Sequence, residues 1–203
     1  LFVRPHDGRV GGVGGVTDAV VVRAGRVCVS APAGFLKEAV SENIIAGPAM
    51  LRRARYQFGL TLKHGCCGEA TSGLGPRPSM GTASLIAPTI DITHTGQELT
   101  VGNVRMVFQI TPGTEAPAEM NFFLPDHRAV FLAENANLCM HPLLPAPGPL
   151  LRPPPAWADH LTHSIRLFPG ASAGVFSSPC APHLVRGRVD CTSAKPTSPP
   201  TSL

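Results

Sequence analysis

The chain has 203 residues, enough for one domain with a real core. Its formal net charge is +4 and its pI is near 8.9, but the lysines and arginines are scattered without interleaved aromatics, which leaves nucleic-acid binding without support. No stretch is apolar for long enough to cross a bilayer, and the first residues lack a charged-then-apolar signal pattern. The cysteines, Cys28, Cys66, Cys67, Cys139, Cys180 and Cys191, have no regular spacing and no Cys-x-x-Cys pair, so reduced, incidental thiols are expected. None of this assigns a compartment.

Along the chain, Val20 to Val22 is a β-branched run, and Cys28-Val29 predicts a core strand leading into a helix that starts near Ala33. Phe35, Ala39 and Val40, then Ile44, Ile45, Met50, Leu51 and Tyr56, suit two helical segments broken around Gly47-Pro48, with Arg52, Arg53 and Arg55 on the outer face. Residues 63–81 hold glycines, prolines and the Cys66-Cys67 pair without an apolar period and read as a long loop. Glu98 to Val101 and Val104 to Phe108 flank Gly102-Asn103, a hairpin signal. A second pair of strands, 121–124 and 128–132, flanks Pro125-Asp126-His127, with His127 as an exposed turn residue.

Leu143 to Pro155 is too rich in proline for a helix or a central strand. Trp157, Leu161, Ile165 and Phe168 then recur at helical spacing as one apolar core stripe, with His160 and His163 facing solvent on its other sides. The residues after Pro182 form a Ser/Thr/Pro-rich tail expected to be disordered, which gives a domain over 1–182 and a tail over 183–203.

Three segments carry a family resemblance. They are Thr111-Pro-Gly-Thr-Glu-Ala-Pro-Ala-Glu-Met-Asn-Phe-Phe-Leu-Pro125 followed by Ala133-Glu134-Asn135, the stretch from Ala39 to Tyr56, and Thr95-Gly-Gln-Glu-Leu-Thr100. Together they resemble the alkyl sulfatases of the metallo-β-lactamase superfamily over roughly Gly11 to Pro182. The resemblance implies an α/β fold, a partial αββα sandwich with a mixed sheet and flanking helices. It also implies zinc-dependent hydrolysis of alkyl sulfate esters to alcohol and sulfate. Two zinc ions are implied, with Glu115 as one ligand and Glu134 as the carboxylate bridging both, because neighbouring cations need a shared anionic oxygen between them. His141 and Arg152 fall at substrate-binding positions of the family; a guanidinium suits an oxyanion because its planar fork donates two parallel hydrogen bonds.

The chain departs from the family in several places. Counting back from Gly11-Gly12-Val13, the His-x-His-x-Asp-His ligand positions fall on Arg4, His6, Gly8 and Arg9, so only His6 survives. Arginine has no lone pair for a metal and repels it. Judged by its residues alone, His6 reads equally well as a solvated histidine. Pro179 and Cys180 stand where the final metal histidine is expected, and Pro142 to Pro147 replaces the segment that carries the first sulfate arginine. Glu115, Glu134 and His6 are therefore too few donors for two zinc ions, and weak or absent activity is expected. The alternative reading is a non-catalytic pseudoenzyme, or a truncated fragment that interacts with a partner. The family also implies a homodimer. The length, the Leu1 start and the Pro/Ser/Thr end lead to the expectation of a fragment.

Overall fold

A computed structural model describes residues 16–59, 61–63, 65, 68, 84–136, 151–171 and 173–177. These residues fall into two compact units. One holds the described residues up to Ile92 together with 116–118 and 151; the other holds Thr93–Glu115, 119–136 and those from Arg152 onward. His6, His141, Cys180 and the 183–203 tail lie outside the described residues, as does most of the 63–81 loop.

In the first unit, helix α1 (Ala19–Arg23) is opened by Asp18, whose carboxylate accepts hydrogen bonds from the Val20 and Val21 amides. The β-branched run Val20–Val22 is thus helical, not extended. Strand β1 (Ser30–Pro32) begins beyond the expected Cys28-Val29, because its ends are set by its parallel partner β2 (Ile90–Ile92). Val29 still belongs to the core: its carbonyl accepts from the Thr89 and Ile90 amides, and it is fully buried with Val22, Ala31, Phe35, Ala39 and Ile86. Helix α2 (Phe35–Val40) starts two residues after the expected Ala33.

A π-helical turn, Ser41–Ile45, separates α2 from helix α3 (Gly47–Phe58), and the break falls at Ala46, just before the expected Gly47-Pro48, which open α3. The extra residue per turn rotates the apolar positions out of line with Phe35 and Ala39. Ile44, Ile45, Leu51 and Tyr56 are accordingly 63, 77, 51 and 94% exposed rather than packed inward. Arg52 and Arg55 face solvent as predicted, but Arg53 is half-buried, and its Nε and Nη1 have no hydrogen-bond partner among the described residues.

The second unit is a five-stranded sheet in the order β3-β4-β5-β6-β7, where β3 is Glu98–Val101, β4 Val104–Ile110, β5 Met120–Leu124, β6 Ala129–Phe131 and β7 Gly174–Phe176. β3 to β6 pair antiparallel and β7 adds parallel to β6, so the sheet is mixed. The β3–β4 hairpin turns at Gly102 (φ 56°) and Asn103 (φ 64°), the left-handed pair that a two-residue turn of this hand demands. Pro125–His127 forms the expected tight connection between β5 and β6, with His127 exposed.

Strand alternation gives the sheet two different faces. On one, Phe108, Phe122 and Phe131 stand side by side across the ladder, with ring centroids 6.0 and 4.9 Å apart. On the other, Phe123 and Val130 join Leu132, Phe168, Ala171 and Val175 in a buried cluster. Helix α4 (Pro154–Leu167) is bonded to that second face. Its first two residues are prolines from the run expected to be non-helical; at a helix start proline has no hydrogen bond to lose, and its fixed φ fits. Trp157 and Phe168 of the predicted stripe are buried, and Leu161 and Ile165 partly so.

Candidate functional site

Two turns leave the same region of the second unit's sheet, each carrying a buried glutamate. The first follows β4. Thr111 donates its amide to the Glu119 carbonyl (2.9 Å), Gly113 takes φ 71°, and the Thr114 hydroxyl closes back on the Thr111 carbonyl (2.7 Å). This delivers Glu115 with 1% exposure. The second turn follows β6. Leu132 donates its amide to the Phe176 carbonyl, Asn135 donates its amide to the Leu132 carbonyl, and fully buried Ala133 adopts φ 52°. Glu134, 7% exposed, is set between them.

A left-handed alanine with no exposed surface is strained backbone, of the kind that persists where the surroundings over-determine it. Here the Ala133 carbonyl is held by the Ser177 hydroxyl (3.0 Å).

Arg152 lies just before α4 and points a guanidinium nitrogen, Nη1, at Glu115 Oε1, 3.7 Å away, with 16 and 0% of the two side chains exposed. Of the residues singled out in the sequence, Glu115 and Arg152 are therefore brought into direct electrostatic contact. A carboxylate withdrawn from water is costly unless positive charge lies beside it, and Arg152 supplies one such charge.

The residues that sequence reading missed are polar and buried behind these turns. Gln109 and Asn121 are cross-strand partners on the face that α4 covers, and both are fully buried. Gln109 Nε2 donates to the His160 carbonyl (2.9 Å), and Gln109 Oε1 accepts from Asn121 Nδ2 (3.1 Å) and from the Ser164 hydroxyl. Asn121 Oδ1 accepts from Asn135 Nδ2 (2.8 Å), which also donates to Thr111 Oγ1 (3.0 Å). Trp157 Nε1 donates to the Asn135 carbonyl (2.8 Å). Asn121 and Asn135 lie inside the quoted Glu-Met-Asn and Ala-Glu-Asn segments, so the motif held their signal. Gln109 and Ser164 had none. Glu119, also fully buried, accepts the Met120 amide at Oε1 (3.1 Å).

His160 faces solvent less than predicted. It is half-buried, and burial holds its imidazole below the ordinary histidine value, with neighbouring His163 acting the same way. A hydrogen bond to the Pro112 carbonyl and the charge of Asp159 oppose this. Because the unfolded chain takes up the proton more readily, this histidine stabilises the fold above its unfolded value of 6.5, and that stability is lost as the pH falls below it. The difference in urea midpoint between the parent and His160→Gln is therefore expected to shrink between pH 8 and pH 5. A constant difference would show that His160 does not titrate with folding.

Zinc is the metal that the resemblance implies. Carboxylates are acceptable zinc donors, and buried ones especially so. Yet no group of three or more His, Cys, Asp or Glu side chains converges among the described residues. The other positions that the resemblance singles out, His6, Arg4, Gly8, Arg9, Pro179 and Cys180, lie outside the described residues. Among the described residues, Glu115 and Glu134 by themselves do not make up a two-zinc shell.

No family model matches the chain. Among curated proteins it is 40% identical over 161 residues to the alkyl/aryl-sulfatase BDS1 of Saccharomyces cerevisiae, covering 79% of this chain and 25% of that one. It is 38% identical over 169 residues to an (R)-specific secondary-alkylsulfatase of Pseudomonas sp., covering 83 and 26%. The solved structure of the inverting sec-alkylsulfatase Pisa1 from Pseudomonas sp. superposes with a TM-score of 0.83 at 36% identity, over 89% of this chain and 29% of that one. This chain is a relative of the alkylsulfatases. It spans about a quarter of the length of the curated relatives it matches. A metallo-β-lactamase family protein from Thermus thermophilus superposes with a TM-score of 0.54 at 16% identity, which bears on the fold alone. The mixed sheet with flanking helices expected from the resemblance is thus the fold observed, and no helix among the described residues is long and apolar enough to cross a membrane.

Proposed function

We propose that this chain is the carboxylate-bearing part of an alkylsulfatase-type hydrolase, whose reaction is the hydrolysis of alkyl sulfate esters to alcohol and sulfate. In this reading Glu115 and Glu134 are metal ligands, His6 is a third donor, and Arg152 and His141 contact the substrate. The observation that carries it is the burial of Glu115 and Glu134 on two hydrogen-bonded turns, within sequence shared with alkylsulfatases. Arg152 lies close enough to Glu115 to share its electrostatic environment, and its fork could hold a sulfate oxyanion in a fixed orientation.

The chain alone is proposed to be a weak or inactive catalyst, because the surviving donors do not complete the site. After purification with added zinc and removal of loosely held metal, well under two zinc ions per protomer are expected, with no turnover of dodecyl sulfate above the blank. Two ions per protomer, with turnover abolished by chelation and by Glu134→Ala, would overturn this.

The exposed Ile44, Ile45, Leu51 and Tyr56 favour a second reading, a non-catalytic fragment that associates with a second copy of itself. Sedimentation over a range of concentrations tests the self-association, and absence of dodecyl sulfate turnover from the associated form supports this second reading.

A further inference from the structure

The polar chain behind the two turns has a fixed direction, and that direction ends on the residue next to Glu134. The His160 carbonyl can only accept, so Gln109 must present its NH2 there and its oxygen to Asn121. Asn121 must then donate to Gln109 and offer its oxygen to Asn135. Asn135 in turn presents its NH2, one hydrogen to Asn121 Oδ1 and the other to Thr111 Oγ1.

We infer that Asn135 is a positioning residue, which locks the Glu134 turn and the Glu115 turn into one geometry through its bond to Thr111. Its backbone belongs to the Glu134 turn, where its amide closes on Leu132 and its carbonyl is held by Trp157. Its side chain reaches the residue that opens the Glu115 turn, whose own carbonyl anchors Thr114. Asn135 is 4% exposed, so solvent offers no substitute for these bonds. Aspartate in its place could still accept from the Thr111 hydroxyl, but it has no hydrogen for Asn121 Oδ1 and sets acceptor against acceptor there. The value of this coupling for metal and substrate rests on the reading of Glu115 and Glu134 as ligands; the coupling itself does not.

Amide hydrogen exchange on the 203-residue chain tests it, with a zinc titration run separately. Asn135→Ala is expected to raise exchange at least about tenfold at residues 132–136 and also at 111–115, leaving the β3–β4 hairpin at the parental rate. Thr111→Val, which keeps Asn135 and adds no bulk, is expected to loosen the same two turns, while Thr111→Ser restores the parental pattern. Loosening confined to the turn that carries the mutation, or spread evenly over the whole sheet, would overturn the inference. If the parent takes up no zinc while the two turns remain coupled, the ligand assignment fails and the positioning role stands.

Discussion

Asn121→Leu is expected to lower the free energy of unfolding by about 2 to 4 kcal/mol, since each buried polar group left without its partner costs about 1 to 3 kcal/mol. Leucine is close in volume, so packing changes little. What is lost is a fully buried amide that donates to Gln109 Oε1 and Ser164 Oγ and accepts from Asn135 Nδ2. Gln109 keeps the Ser164 hydroxyl and Asn135 keeps Thr111, so the network is cut rather than emptied. Asn121→Asp, though closer in shape, is expected to cost more. Its oxygens would meet the oxygen of Gln109, and a carboxylate would be buried with no cation bonded to it. Urea unfolding measures both variants; a loss below about 0.5 kcal/mol for the leucine variant, with an unchanged m-value, would show the network to be dispensable.

Ala133→Val is expected to cost about 2 to 6 kcal/mol. A β-branched residue at φ 52° is strained by about 1 to 3 kcal/mol, and two further methyl groups in a fully enclosed space add overpacking of about 1 to 3 kcal/mol. Ala133→Gly removes the strain and loses only a methyl group, so it is expected to stay within about 1 kcal/mol of the parent. Thermal unfolding of the pair measures the backbone and packing contributions together. If valine were tolerated as well as glycine, the left-handed conformation before Glu134 would not be constrained by its surroundings.

Local chemistry made some of the fold readable in the sequence. Gly102-Asn103 determines its hairpin without help from elsewhere, and Pro125 to His127 closes β5 onto β6 in the same way. The start of β1 was not readable, because Val29 is bonded to Thr89, sixty residues away, and the ladder proper waits for Ile90. Ile44, Ile45 and Tyr56 misled because a helical period tells which residues share a face but not whether the face is covered, and the π turn breaks the period. In the site, the motif identified Glu115 and Glu134 as the residues to watch, and both are buried. Gln109 and Ser164 escaped because a glutamine on a strand or a serine on a helix ordinarily signals the wet side; here both are buried within a network that also includes Asn121 and the His160 carbonyl. Arg152 was chosen for an anion and is found beside one supplied by the protein itself.

The parallel strand β7 bears on the order in which the molecule assembles. β3 through β6 form a meander of short connections, whose contacts can be made as the chain collapses. β7 reaches β6 only after a long excursion, and the Ser177 hydroxyl that holds the Ala133 carbonyl comes from 44 residues away. Closing a loop of that length is entropically costly before any contact rewards it, so such pairings form late. The strained alanine beside Glu134 is held by bonds from Phe176 and Ser177 to its turn. A chain emerging from the ribosome therefore has its hairpins early, while Glu134 settles only once the residues near position 177 have been made and have docked.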